Sequence, residues 1–150
     1  MKEERPDTPV ELKVRALRYL ARREHSRAEL ARKLAPHAES PATLQTVLDE
    51  LAGKRQLSDE RYADARAHWL SRKYGAAKIR QDLKSRGVPN EIVDGVSAEG
   101  ELERAREILQ RKYRTPAANR QEWAKRARFL QGRGFSNETI YRLIRTSDDE

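Results

Sequence analysis

A chain of 150 residues that is 37% hydrophobic and 37% charged falls short of the roughly 45–50% apolar content of an average globular domain, so thin helical layers are expected rather than one thick core. Basic residues exceed acidic ones by 32 − 24 = 8 and the pI is near 10.0, which favours anionic partners such as nucleic acid or an acidic protein surface. The absence of cysteine removes disulfide and thiolate chemistry, no apolar run reaches the roughly 18 residues of a membrane span, and Met1 to Asp7 lacks a signal-peptide core, so a cytoplasmic location is expected.

Helix punctuation is clear along the chain. Thr8-Pro9 reads as an N-cap followed by proline at the first helical position, and Val10, Val14, Leu17 and Ala21 recur at helical spacing, widened by Leu20. Ser26 with Glu29 forms a capping box for a helix whose apolar face is Leu30 and Leu34, with Pro36 as its stop. Ser40-Pro41 opens a third helix with Leu44, Val47, Leu48 and Leu51 on one face and Gly53 just past its end. Ser58 caps the next, with Asp59 and Glu60 favoured in its first turn by the helix dipole and Tyr62, Ala65 and Trp69 on a shared face. After the break at Gly75, Ile79 and Leu83 mark a helix that Gly87 closes, and Pro89 opens a short one with Ile92, Val93 and Val96. Leu102, Ala105, Ile108 and Leu109 mark another, ended by Thr115-Pro116. Trp123, Ala127 and Leu130 follow, ending at Gly134; Ser136 then caps a last helix with Ile140, Leu143 and Ile144 inward. Nothing alternates with period two, so an all-α fold without strands is expected.

The pattern repeats. Ala77-Lys78, Leu83, Arg86-Gly87 and Asn90-Glu91 match Ala124-Lys125, Leu130, Arg133-Gly134 and Asn137-Glu138 at a constant offset of 138 − 91 = 47. A weaker match relates Ala28, Leu30 and Leu34 to Ala77, Ile79 and Leu83. The reading is three tandem three-helix repeats, over 9–56, 57–97 and 98–146, between a polar tail at 1–8 and an acidic tail at 147–150. Each repeat holds too few apolar residues to stand alone, so stacking into an elongated body that can curve is expected.

Catalytic constellations are missing. His25, His37 and His68 are not spaced for a metal, no Gly-rich phosphate loop or nucleophile elbow is present, and the seven glycines fall at helix ends and turns. No enzyme activity, cofactor, metal or small-molecule substrate is therefore expected.

Charge placement is what remains. Arg72 to Arg86 holds six basic residues against Asp82, and Arg104 to Arg133 holds ten against Glu107 and Glu122. Lys13 to Lys33 holds eight against Glu24 and Glu29, whereas 34–60 is net acidic. Such helices could form a basic stripe that contacts phosphates without reading sequence, although good helix formers also fill exposed positions for no partner at all. Trp69 and Trp123 sit on apolar faces and are expected in the core, while Tyr74, in the break before Gly75, is the better candidate for an exposed contact. Ser26 to Leu34 also resembles the first helix of a helix-turn-helix, but Pro36 and Pro41 lie where its tight turn should be. A helix-turn-helix-like or non-specific basic DNA-binding protein is the alternative reading.

The stretch Leu57 to Val88 resembles the core motif of the RecX family: an acidic opening with Tyr62, the Arg72-Lys73-Tyr74-Gly75 break, then Ile79-Arg80, Leu83 and Gly87. Arg15 to Leu20 with His25 to Leu34 is similar to the family's first unit, and Arg128 to Leu130, Arg133 to Phe135 and Ile140 to its last. The resemblance implies a monomeric regulator of the RecA recombinase in DNA repair and the SOS response. It implies a protein that lies in the groove of the RecA–single-stranded DNA filament and inhibits strand exchange, ATP hydrolysis and co-protease activity. The residues expected to make those contacts are Arg72, Lys73, Tyr74, Lys78, Arg80, Lys84, Arg86, Arg126, Arg128 and Arg133.

Overall fold

The structure is a computed structural model that describes residues 5–148; positions 1–4 and 149–150 of the expected tails lie outside the described residues. Among the described residues the chain is all α. Its helices are α1 (Pro9–Arg22), α2 (Arg27–Leu34), α3 (Pro41–Gly53), α4 (Asp59–Leu70) and α5 (Ala76–Ser85), followed by α6 (Asn90–Asp94), α7 (Glu101–Lys112), α8 (Arg120–Gly132) and α9 (Asn137–Asp148). A 3-10 turn, Ala35–His37, follows α2, and one isolated bridge joins Asp7 to Ala38.

The caps explain the helix starts. Thr8 and Ser26 each accept from the backbone N–H three residues on, and Glu11 and Glu29 reach back to the cap N–H, completing two capping boxes. The side chains of Ser40 and Asn119 accept from Thr43 N–H and Glu122 N–H at the starts of α3 and α8, and the hydroxyls of Ser58 and Ser136 accept from Arg61 N–H and Thr139 N–H.

The helices group into two compact units, and each is described by itself. Unit 1 comprises Met1–Ala65 with Leu83–Val93. In it α1, α2 and α3 pack on one another around Leu12, Ala16, Leu30, Leu34, Leu44, Val47, Leu48, Leu51 and Leu57. Burying a leucine side chain such as Leu30 contributes about 1.5–3 kcal/mol. Unit 2 comprises Arg66–Asp82 with Asp94–Glu150. There α7 packs against α8 and α9 around Ala105, Ile108, Leu109, Leu130, Phe135, Ile140 and Leu143.

One junction occurs in both units. In unit 1 the Ser26 hydroxyl donates to the Arg86 carbonyl at 2.8 Å, and Arg27 N–H donates to Asp59 Oδ1 at 2.8 Å. In unit 2 Gly75 N–H donates to the Arg133 carbonyl at 2.8 Å, and Ala76 N–H donates to Glu101 Oε1 at 3.0 Å. In each case the start of a helix meets the end of a later one, and an acid from the first turn of a third helix satisfies its first N–H. The accepting carbonyls precede Gly87 (φ +78°) and Gly134 (φ +90°), which take the left-handed turn that glycine favours. A Cβ on Gly87 would collide with Ala28, and one on Gly134 with Lys78. The sequence offset between Gly87 and Gly134 is thus the offset of a structural joint.

Three expectations are corrected. Val10 and Val14 are 73% and 44% exposed, and the buried face of α1 is Leu12 and Ala16. Both faces of this helix carry aliphatic residues, so periodicity alone selects the opposite one. Trp69 is 60% exposed, and α4 turns Tyr62, Ala63 and Leu70 inward instead. Gly53 ends α3 as its last residue, and the left-handed position is Arg55 (φ 60°).

Candidate functional site

The expected contact residues divide between the units. In unit 1 Lys84 is exposed, whereas Arg86 is half-buried and pairs with Glu29 at 3.5 Å. Burial of Glu29 opposes ionisation, but hydrogen bonds from Arg23 and the Ser26 N–H outweigh it and hold the carboxyl below its usual range. Tyr62 lies in the same cluster, and burial followed by the charge of Glu29 pushes its phenol up.

In unit 2 Arg72, Lys73, Lys78 and Arg128 are exposed. Tyr74 is half-buried, with the Arg133 guanidinium 5.4 Å from its ring centroid. Arg133 also donates to the Lys73 carbonyl at 3.4 Å, so Lys73, Tyr74 and Arg133 are brought together. Arg80 is half-buried and donates to the Val96 carbonyl at 2.8 Å. Arg126 departs from the expected exposed set. It is 7% exposed, donates to the Thr115 carbonyl at 2.9 Å and stacks over Tyr113 at 4.5 Å. Its side chain ties the Thr115 stretch to α8, because an arginine stem and planar head pack on an aromatic while the fork reaches a carbonyl.

Two further arginines lie outside the expected set. Arg104 and Arg111, at i and i+7 on α7, share one helical face, and Arg111 donates to the Arg72 carbonyl at 3.0 Å. Trp69, expected in the core, is instead exposed and capped by the Arg66 guanidinium at 5.0 Å, which Asp82 holds through bonds of 2.8 and 3.2 Å. An exposed indole beside cations offers a stacking surface. Among the described residues no group of three or more His, Asp or Glu side chains is placed to hold a metal, and no helix is long and apolar enough to cross a membrane.

The fold defines a class: an all-α protein of tandem three-helix repeats whose polar helix faces are rich in arginine and lysine. Family models describing the first, second and third three-helix domains of RecX match residues 13–51, 58–96 and 99–144. The chain belongs to the RecX family. It is 48% identical over 142 residues to the "Regulatory protein RecX" of Leptothrix cholodnii, covering 93% of this chain and 90% of that one. It is 42% identical over 146 residues to the protein of the same name from Ralstonia nicotianae, covering 95% and 92%. The crystal structure of RecX from Lactobacillus salivarius superimposes with a TM-score of 0.83, covering 95% of this chain and 97% of that one. At 20% identity that likeness concerns the fold alone.

Proposed function

We propose that this protein regulates a RecA recombinase, mainly as an inhibitor, by binding and not by catalysis. It occupies the groove of the RecA–single-stranded DNA filament as a monomer in the cytoplasm and suppresses strand exchange, ATP hydrolysis and co-protease activity. The observation that carries this reading is the match of all three RecX domain models in order along one chain. The tripartite organisation over 9–56, 57–97 and 98–146 belongs to the same reading. A ligand that bridges protomers favours whichever filament state it binds better, so occupancy alone can inhibit. Exposed Arg72, Lys73, Lys78, Lys84 and Arg128 support contact with an acidic protein surface or a phosphate backbone.

The test is ATP hydrolysis by the cognate RecA on single-stranded DNA, titrated with this protein at fixed salt. Inhibition at substoichiometric amounts supports the reading. No inhibition, together with salt-steep affinity for bare DNA, replaces it with the general DNA-binding alternative. The double variant K78E/R128E changes two exposed charges and is expected to weaken inhibition with the helical content intact.

A further inference from the structure

Trp69, in the last turn of α4, leaves 60% of its surface open to solvent. A single exposed apolar residue is ordinary, but an exposed indole held in one orientation is not. One turn back on the same helix, the Arg66 guanidinium lies over the ring, 5.0 Å from its centroid. Asp82 on α5 grips that guanidinium through bonds of 2.8 and 3.2 Å, with the two side chains 23% and 24% exposed. A bidentate pair fixes the plane of the arginine fork, and the fork in turn limits how the indole can tilt. Asp82, Arg66 and Trp69 thus form a stack of three within unit 2 that ends in an aromatic surface open to water.

The charge around this surface has one sign. From Ala65 to Gln81 the chain carries Arg66, Arg72, Lys73, Lys78 and Arg80 and no acid. Asp82, the first acid to follow, is engaged by Arg66. The N–H groups of Lys73 and Tyr74 donate to the Leu70 carbonyl, so the chain keeps coiling past the end of α4. Arg72 and Lys73, both exposed, lie three and four residues beyond Trp69 on that coil, which places them beside the indole. A partner suited to this surface brings a flat π face and negative charge together. Single-stranded nucleic acid does so, because every base has a π face and every link a phosphate. An acidic peptide brings the charge without an aligned planar group, and a duplex keeps its bases stacked inside.

We propose that Trp69 is a stacking platform for one unpaired base of single-stranded nucleic acid, a role that rests on the protein acting at a DNA-bearing filament and names the part of the strand it touches. Arg66 and Asp82 are its positioning residues, and Arg72 and Lys73 contact the phosphates that flank the stacked base.

Anisotropy of the full chain with a fluorescein-labelled oligothymidylate is compared with that of an abasic strand of equal length and charge, for the wild type, W69A, W69F and D82N. The wild type is expected to prefer the strand with bases roughly ten- to a hundred-fold. W69A should lose that preference and W69F should keep most of it. The slope of log affinity against log salt should stay the same in both, because no phosphate contact is lost. D82N makes the surface more positive, so attraction of charge alone predicts tighter binding of both strands. The platform predicts instead that the preference for bases falls several-fold as Arg66 is released. Thermal melts show which variants fold, and W69A, which alters an exposed side chain, carries the test if D82N does not. Equal affinity of the wild type for the two strands overturns the proposal, as does a W69A protein or a folded D82N protein that keeps the preference. A W69A protein that binds oligothymidylate like the wild type but inhibits RecA less also overturns it, and makes the indole a protein contact. The binding assay contains no recombinase, so a failure of RecA inhibition by the wild type leaves the platform standing, and loss of the platform leaves the filament reading to its own assay.

Discussion

The Thr139 hydroxyl donates to Glu101 Oε2 at 3.0 Å, joining the first turn of α9 to the first turn of α7 at two positions that are 8% and 6% exposed. The other carboxylate oxygen of Glu101 takes the Ala76 N–H, and the Ser136 hydroxyl donates in turn to Thr139 Oγ1 at 2.9 Å. Three helix starts therefore depend on one buried acid. Glu101→Ala leaves the Ala76 N–H and the Thr139 hydroxyl without their acceptor and is expected to cost about 2–3 kcal/mol. Thr139→Val removes the bond to Glu101 and the one accepted from Ser136 but leaves the Ala76 N–H its acceptor, and should cost about 1–2 kcal/mol. Urea denaturation followed by circular dichroism checks both, and equal costs would contradict a shared hub.

His25 predicts a dependence of stability on pH. The ring is 1% exposed, with Nδ1 3.0 Å from the Arg23 carbonyl and Nε2 2.8 Å from Lys33 Nζ. Lys33 can only donate, so Nε2 accepts and Nδ1 carries the proton toward Arg23. Burial first, and then the charges of Arg23 and Lys33, push the imidazole below its usual 6.5. The folded protein thus binds fewer protons here than the unfolded chain. The contribution is fully present above pH 6.5 and is lost as pH falls through the lowered value. Melting temperature should decline below that pH in the wild type, and the decline should be shallower in His25→Gln.

Two glycines should respond with opposite signs. A Cβ on Gly53 meets nothing within 4 Å, and the residue ends α3, so Gly53→Ala is expected to stabilise by about 0.5–1 kcal/mol. At Gly134 the φ of +90° and the close approach of Lys78 both oppose a side chain. Gly134→Ala should destabilise by more than about 1 kcal/mol. Parallel thermal melts of the two variants decide it.

The two tryptophans should separate folding from contact. Trp69→Ala is expected to leave the melting temperature near the wild-type value. Trp123 packs against the unit 2 core and stacks with Arg126 at 6.0 Å, so Trp123→Ala should cost roughly 2 kcal/mol, below the ~3–5 of a fully buried aromatic. Quenching of intrinsic fluorescence by single-stranded DNA should disappear in Trp69→Ala and persist in Trp123→Ala.

Local chemistry makes most of the helices legible. Thr8, Ser26, Ser40, Ser58 and Ser136 act as caps because a short side-chain oxygen can reach an unpaired N–H only from that position. Leu30, Leu34, Leu48 and Leu83 can be read as core because no competing apolar face exists on their helices. Where two faces compete, as on α1, composition does not say which one meets a neighbour, and spacing alone favours Val10 over Leu12. Trp69 misleads for a related reason: an aromatic at helical spacing signals burial only if a partner helix covers that arc. The contact set is legible as charge but not as geometry. Arg126 reads like any surface arginine until the Thr115 carbonyl and Tyr113 ring are brought to it, and the unpaired state of Arg104 depends on what is absent around it.

The joint between Ser26 and Arg86 spans 60 residues of chain. On a ribosome adding about 5–20 residues per second, the α2 cap is synthesised roughly 3–12 s before the carbonyl that completes it. Leu83, Val88 and Val93, buried residues that belong to unit 1, emerge in the same late interval. The core of α1 to α3, complete at Leu57, is thus synthesised before the joint that caps it, and a slow codon run between Ala65 and Leu83 would lengthen the period in which the Ser26 hydroxyl lacks its Arg86 acceptor.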